Sequence, residues 1–113
     1  MNRKVFITQD IMIKDAHGNM ASKYDFRRLA DLGEVIFCIR GRLNDPAVIR
    51  DVLEAKLAGF TKDDYLVPKG DPAIVCMAAI IAARKTDWPL NILVWDKMAA
   101  HGKGGHIKVA LPV

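Results

Sequence analysis

Hydrophobic and polar positions along the chain follow two different periods. Five stretches are short and rich in β-branched or aromatic residues: "KVFIT" (4–8), "EVIFCIR" (34–40), "DYLVP" (64–68), "LNILVWD" (90–96) and "HIKVALPV" (106–113). Their length and composition predict strands. The second and fourth are apolar at successive positions, which predicts central strands covered on both faces. The last alternates, with Ile107, Val109, Leu111 and Val113 on one side and His106, Lys108, Ala110 and Pro112 on the other. Lys and Pro on the open side predict an edge strand.

Between these runs the period changes. In "NDPAVIRDVLEAKLAGF" (44–60), Ile49, Val52, Leu53, Leu57 and Phe60 fall on one helical stripe. Asp45 suits the N-cap and Pro46 the first helical position. A second helix begins with Asp71 and Pro72 in the same roles and has no polar residue from Pro72 to Ala83, with Arg84 and Lys85 at its end, where positive charge suits the helix dipole. Residues 9–33 are less regular. "KDAHGN" (14–19) predicts a turn, and "SKYDFRRLADLG" (22–33) a short helix stopped by Gly33.

The order β-α-β-α-β from 34 to 96 predicts parallel strands joined by right-handed crossovers. Residues 97–105 are too few for another crossover, so 90–113 should form a β-hairpin with an antiparallel C-terminal edge strand. The expectation is one α/β domain over 1–113: a small, mostly parallel sheet with two long crossover helices, its first strand joining either edge. The second helix is apolar on all sides, which predicts a further covering layer, either the 9–33 segment or a second copy in a homodimer through 72–83.

Charge sharpens the picture only a little. The net charge is +4. Basic residues outnumber acidic ones by eight to five over 1–42 and five to three over 71–113, while 43–70 carries four against five. No segment is a basic arm, so the excess permits nucleic-acid contact without requiring it. Cys38 and Cys76 both sit in apolar strings and read as buried free thiols of a reducing compartment. No apolar run approaches the roughly 20 residues of a membrane span, and "MNRKVFIT" lacks the apolar segment of a signal peptide. A cytoplasmic protein without a membrane partner is the expectation.

The strand-to-helix junctions "RGRLNDP" (40–46) and "KGDP" (69–72) echo each other: base, glycine, Asp-Pro, helix. In a parallel sheet both lie at the C-terminal edge, where ligands of open α/β folds bind. Two helix N-termini with Arg40, Gly41, Arg42, Lys69 and Gly70 form the candidate anion site. The plainer reading is a pair of well-made helix starts, since neither loop has the spacing of a dinucleotide fingerprint or a P-loop. Asp10, Asp71 and Asp96 each follow a strand and raise the idea of a divalent metal. "DDYLVPKGDPAIV" faintly resembles the strand–Gly-Asp–helix segment of PIN-like and NYN ribonucleases, but Pro72 and Ala73 stand where those carry a second acid. The two histidines of "HGKGGH" (101–106) have no cysteine partner for zinc and read as a solvated hairpin tip. Trp95 reads as core, whereas Trp88, in a loop, suits stacking on a base or filling a partner's pocket. No nucleophile stands beside a base, so no catalytic residue, metal or cofactor is assigned.

"DLGEVIF" followed by a helix, then "DDYLVPKGDPAIVCMAAIIAA", then "NILVWDK" and a short final strand resembles a set of small proteins encoded in tailed-bacteriophage genomes. The similarity covers roughly 25–113, and the Gly-Asp-Pro and Trp-Asp segments are its most specific parts. It implies a phage accessory protein working in the host cytoplasm, and it supplies no activity and no functional residues. "HGKGGH" is longer than the corresponding turn. Two functions follow as expectations. The first is non-enzymatic surface binding to nucleic acid or to a host or phage protein. The alternative is a nucleotide- or phosphate-binding protein, with or without catalysis, using the sheet's C-terminal edge.

Overall fold

A computed structural model describes residues 3–87 and 89–112, so the expectations for Trp88 and Val113 lie outside the described residues. The elements are β1 (Lys4–Asp10), β2 (Met12–Lys14), β3 (Met20–Ser22), a 3₁₀ turn (Arg27–Asp31), β4 (Glu34–Arg40), α1 (Pro46–Lys56), β5 (Tyr65–Val67), α2 (Pro72–Arg84), β6 (Leu90–Asp96) and β7 (Gly105–Leu111). The fold is the mixed α/β type read from the sequence. Five strands form one sheet in the order β4-β1-β5-β6-β7, all parallel except β7, which runs antiparallel to β6.

Two strand positions differ from expectation. β1 joins neither edge; it lies inside the sheet between β4 and β5, with Val5–Asp10 all buried. Phe6 faces the helices and Val5 and Ile7 the opposite layer, so both of its faces need cover. β4, read as central, is the edge. Its side chains are still covered on both sides, Ile36 and Cys38 by the helices and Val35 and Phe37 by the opposite layer. A doubly apolar strand reports two covered faces and says nothing about which neighbours it pairs with.

The connections explain the layers. β4-α1-β5 and β5-α2-β6 advance across the sheet in the same direction, so right-handed crossovers put α1 and α2 on one face. Ile49, Leu53, Ile74, Ala78 and Ile81 pack there against Phe6, Leu66 and Leu90. The β1-to-β4 connection moves the other way and lies on the opposite face. It is residues 11–33, whose Phe26 and Leu29 cover Val5, Ile7, Val35, Phe37 and Val67. Only one 3₁₀ turn forms where a short helix was expected. Gly33, read as its stop, is required for another reason: a Cβ there would collide with the Arg3 carbonyl just before β1. The "KDAHGN" turn closes an antiparallel hairpin of β2 and β3, with Asp15 Oδ1 accepting from the His17 and Asn19 amides, each at 2.9 Å.

The helix starts are as read. Asp45 caps α1 by accepting from Ala47 N at 2.9 Å, Asp71 caps α2 from Ala73 N at 2.8 Å, and a proline follows each. The apolar α2 is mostly covered by the sheet and α1. What stays exposed besides its ends is narrow: Cys76, which is not the buried thiol expected, and Ile80 at 54%. Cys76 lies on the turn of helix that faces neither layer.

Candidate functional site

The residues proposed as one anion site are divided among three places. Arg40 lies 3.4 Å from the buried carboxylate of Asp10, with its guanidinium 4.2 Å from the Phe37 ring centre. Arg42 is exposed and lines a hollow of 600 Å³ with Ile13, Met20, Leu43 and the Asp71 carboxylate. Lys69 reaches over the 11–33 segment, its ammonium 4.8 Å from the Tyr24 ring centre. Between the two loops sits Gln9. Its amide donates to the Gly41 carbonyl at 2.8 Å and accepts from Asp71 N at 2.7 Å. The two glycines serve this bridge. Gly41 and Gly70 both have left-handed backbones (φ +79° and +99°), and a Cβ on Gly70 would collide with Gln9. Thr8 fastens the same junction by accepting from Lys69 N at 2.8 Å. The structure therefore brings Gly41 and Gly70 together around Gln9, and it does not bring Arg40, Arg42 and Lys69 together.

The three aspartates are also apart. Asp10 Oδ2 accepts from Ser22 Oγ at 2.8 Å, Asp71 caps α2, and Asp96 Oδ1 accepts from Met98 N at 2.8 Å. Among the described residues no three His, Cys, Asp or Glu side chains could hold a metal ion. The Cys38 thiol is pushed up to about 12 by burial, which leaves it protonated and unreactive.

A different surface gathers aromatic and basic side chains. The 11–33 layer is too short to cover five strands: its Phe26 and Leu29 still bury Leu93 of β6, and the face beyond, at Trp95 and along β7, is open. Trp95 stands there, 49% exposed, although its sequence setting suggested core. Its register partner is His106 on β7, with the two rings edge to face at 5.3 Å between centres. The "HGKGGH" loop builds this pair. Gly104 has φ +86° and lies so close under the indole that a Cβ would collide with it. Ala100 and His101 are also left-handed, an unusual conformation for non-glycine residues.

Two hollows adjoin at Trp95 and His106. One, of 330 Å³, lies among Lys23, Tyr24, Asp25, Lys69 and Trp95. The other, of 450 Å³, runs on past Arg28, Asp31 and Lys103. Together they form a groove with two aromatic walls, four basic side chains and two acidic ones. Lys23 and Lys69 both place ammonium groups over the Tyr24 ring, at 5.5 and 4.8 Å from its centre. Asp25 is bound by Arg27 at 2.8 and 2.9 Å, which holds its carboxyl well below the ordinary range, so it is ionised. Burial and the charge of Lys69 hold the His106 imidazole below its ordinary value, so it is neutral near pH 7. Its Nε2 is buried and has no partner among the described residues.

Sequence reading singled out Lys69 but missed Tyr24, Lys23, Arg28 and Lys103, and it placed Trp95 and His106 in unrelated settings. The signal lay in the hairpin register. A tight 90–113 hairpin sets Trp95 opposite His106, and two polar-capable rings on one face are not a core pair.

Residues 3–104 match the family described as Phage Pam3 gp32-like protein, and the chain belongs to that family. Comparison with curated proteins and with solved structures finds no match to either. No helix among the described residues is long and apolar enough to cross a membrane.

Proposed function

We propose that this phage-family protein is a non-enzymatic binding protein that takes single-stranded nucleic acid in the Trp95–Tyr24 groove. The observation that carries the reading is Trp95, half exposed near the end of β6 and lining a hollow with Tyr24, whose ring lies under two lysine ammoniums. Proteins that hold single strands combine stacking rings with a basic track for the backbone. Duplex contact fits less well, because the aromatic groups sit in a concave groove that a paired base does not reach. The setting is that of a phage accessory protein acting in the host cytoplasm.

The alternative, a phosphate held at the sheet's C-terminal edge, meets Gln9 in the crevice and the Asp71 carboxylate in the adjoining hollow. The Asp71 amide of the second junction is already engaged. The groove needs no such rearrangement.

Fluorescence anisotropy with labelled single strands of about ten nucleotides tests the reading. Binding should weaken with salt, at a slope of about −0.7 for each neutralised phosphate. Four basic groups in the groove set an upper limit near −3 for that slope. Trp95→Ala should lower affinity by about 1–3 kcal/mol. Mononucleotide binding that Trp95→Ala leaves untouched would favour the alternative.

A further inference from the structure

We infer that β4 is the seam of a symmetric dimer, in which the strand pairs antiparallel with its own copy about Phe37 and the two five-stranded sheets join into one. The inference is independent of the groove reading and goes beyond it.

In the single chain β4 is an edge, and among the described residues no strand pairs with its outer side. Edge strands are ordinarily short, or defended by Lys, Pro or a bulge. The opposite edge follows that rule, since β7 exposes Lys108 and runs into Pro112. β4 does not. It is seven residues long, is apolar without a break from Val35 to Ile39, and leaves Val35, Ile36 and Phe37 only half-buried. Beside Val35 and Phe37 lies a hollow of 410 Å³ that Phe26 and Ala30 also line. An undefended apolar edge of this kind invites a partner strand.

Backbone direction and charge select that partner. Glu34 N donates to the Arg3 carbonyl at 2.9 Å, so residues 34, 36 and 38 turn their backbone groups towards β1. Successive residues alternate, so Val35, Phe37 and Ile39 turn theirs outwards. A second β4, antiparallel about Phe37, sets Val35 opposite Ile39 and Phe37 opposite its own copy. Each such pair exchanges two hydrogen bonds, about six in all. The residues between them form the closer, non-hydrogen-bonded pairs. There Ile36 meets Cys38, and Glu34 meets Arg40, an opposite-charge pair at each end of the seam. Both charged residues are exposed, Arg40 with 61% of its side chain open although it lies beside Asp10. In-register parallel pairing would instead set Glu34 against Glu34 and Arg40 against Arg40. The antiparallel axis stands perpendicular to the sheet, so both Trp95 grooves open on the same face, separated laterally by seven strand spacings, about 34 Å.

Sedimentation velocity from low to high micromolar concentration tests this. A seam of seven residues is about 23 Å long, which is small for an interface, so a micromolar dissociation constant is expected. Glu34→Lys should raise that constant about tenfold. Mixing its chains with Arg40→Glu chains should restore association, because both ends then pair opposite charges. Arg40 also neighbours Asp10, so melting curves accompany each variant. Val35→Pro tests the seam without altering charge: it removes an outward N–H, which an edge strand tolerates, and should leave a folded monomer. Ile80→Lys should leave the dimer intact. A monomer throughout the range would overturn the inference, and so would a dimer that Ile80→Lys dissolves while Glu34→Lys and Val35→Pro leave it unchanged. Neither result bears on the groove, whose test is oligonucleotide binding.

Discussion

At Gly104 the backbone is left-handed and the Trp95 indole rests directly against it. An alanine there costs twice, in backbone strain of about 1–2 kcal/mol and in displacement of the ring. Gly104→Ala should shift the tryptophan emission and weaken oligonucleotide binding. Unchanged emission and affinity would show that the loop does not set the ring. His106 gives a second prediction. Its folded value lies below the ordinary 6.5, so on acidification the unfolded chain binds the proton first. This contribution to stability is complete above that ordinary value, is lost as pH falls below it, and levels off below the folded value. Melting curves from about pH 7.5 to 5 should show a shallower loss for His106→Gln than for the unsubstituted chain.

At the scale of elements, local chemistry was legible where one residue type does one job. Asp-Pro before a helix is such a signal, and both helices begin on it. Asp71→Ala should therefore cost about 1 kcal/mol in a thermal melt and leave oligonucleotide binding unchanged. Lys69→Ala should do the reverse, weakening binding several-fold and reducing the salt slope by about 0.7. A Lys69 variant with intact binding would return the "KGDP" junction to a purely structural role. The apolar strands were legible as strands but not as positions. β4 and β6 carry the same doubly apolar pattern, yet one is the edge and the other internal, because cover comes from layers and pairing from chain direction. The candidate site was the least legible part. Lys69 alone was singled out, since its partners Tyr24, Trp95 and His106 come from three separate stretches that only the layer arrangement brings together.

For the whole molecule, the groove follows from an imbalance between its two faces. Two helices cover one side of the sheet, while a 23-residue connection with a single 3₁₀ turn covers part of the other. The uncovered strip is where an otherwise mild basic excess acquires aromatic company. The helical side keeps its own exposed apolar residues, Ile80 on α2, Val48 on α1, and Ile107 and Leu111 on β7. Self-association through α2 was expected in order to cover a wholly apolar helix. Ile80 and Cys76 alone fall well short of the roughly 800 Å² per partner of a stable interface, so such a dimer must also draw on α1 or β7. Sedimentation tests it: a dimer through this face should dissociate on Ile80→Lys, and a monomer at high micromolar concentration ends the idea.

The central claim, that the Trp95–Tyr24 groove takes a single strand, is tested most directly by NMR titration of the labelled protein with a short unpaired oligonucleotide. The account predicts that the largest shifts fall on Trp95, including its indole N–H, and on Tyr24, Lys69, His106 and Lys103, with α1 and α2 unmoved. Shifts centred instead on Arg42, Leu43 and Met20, or no shifts at all, would contradict it.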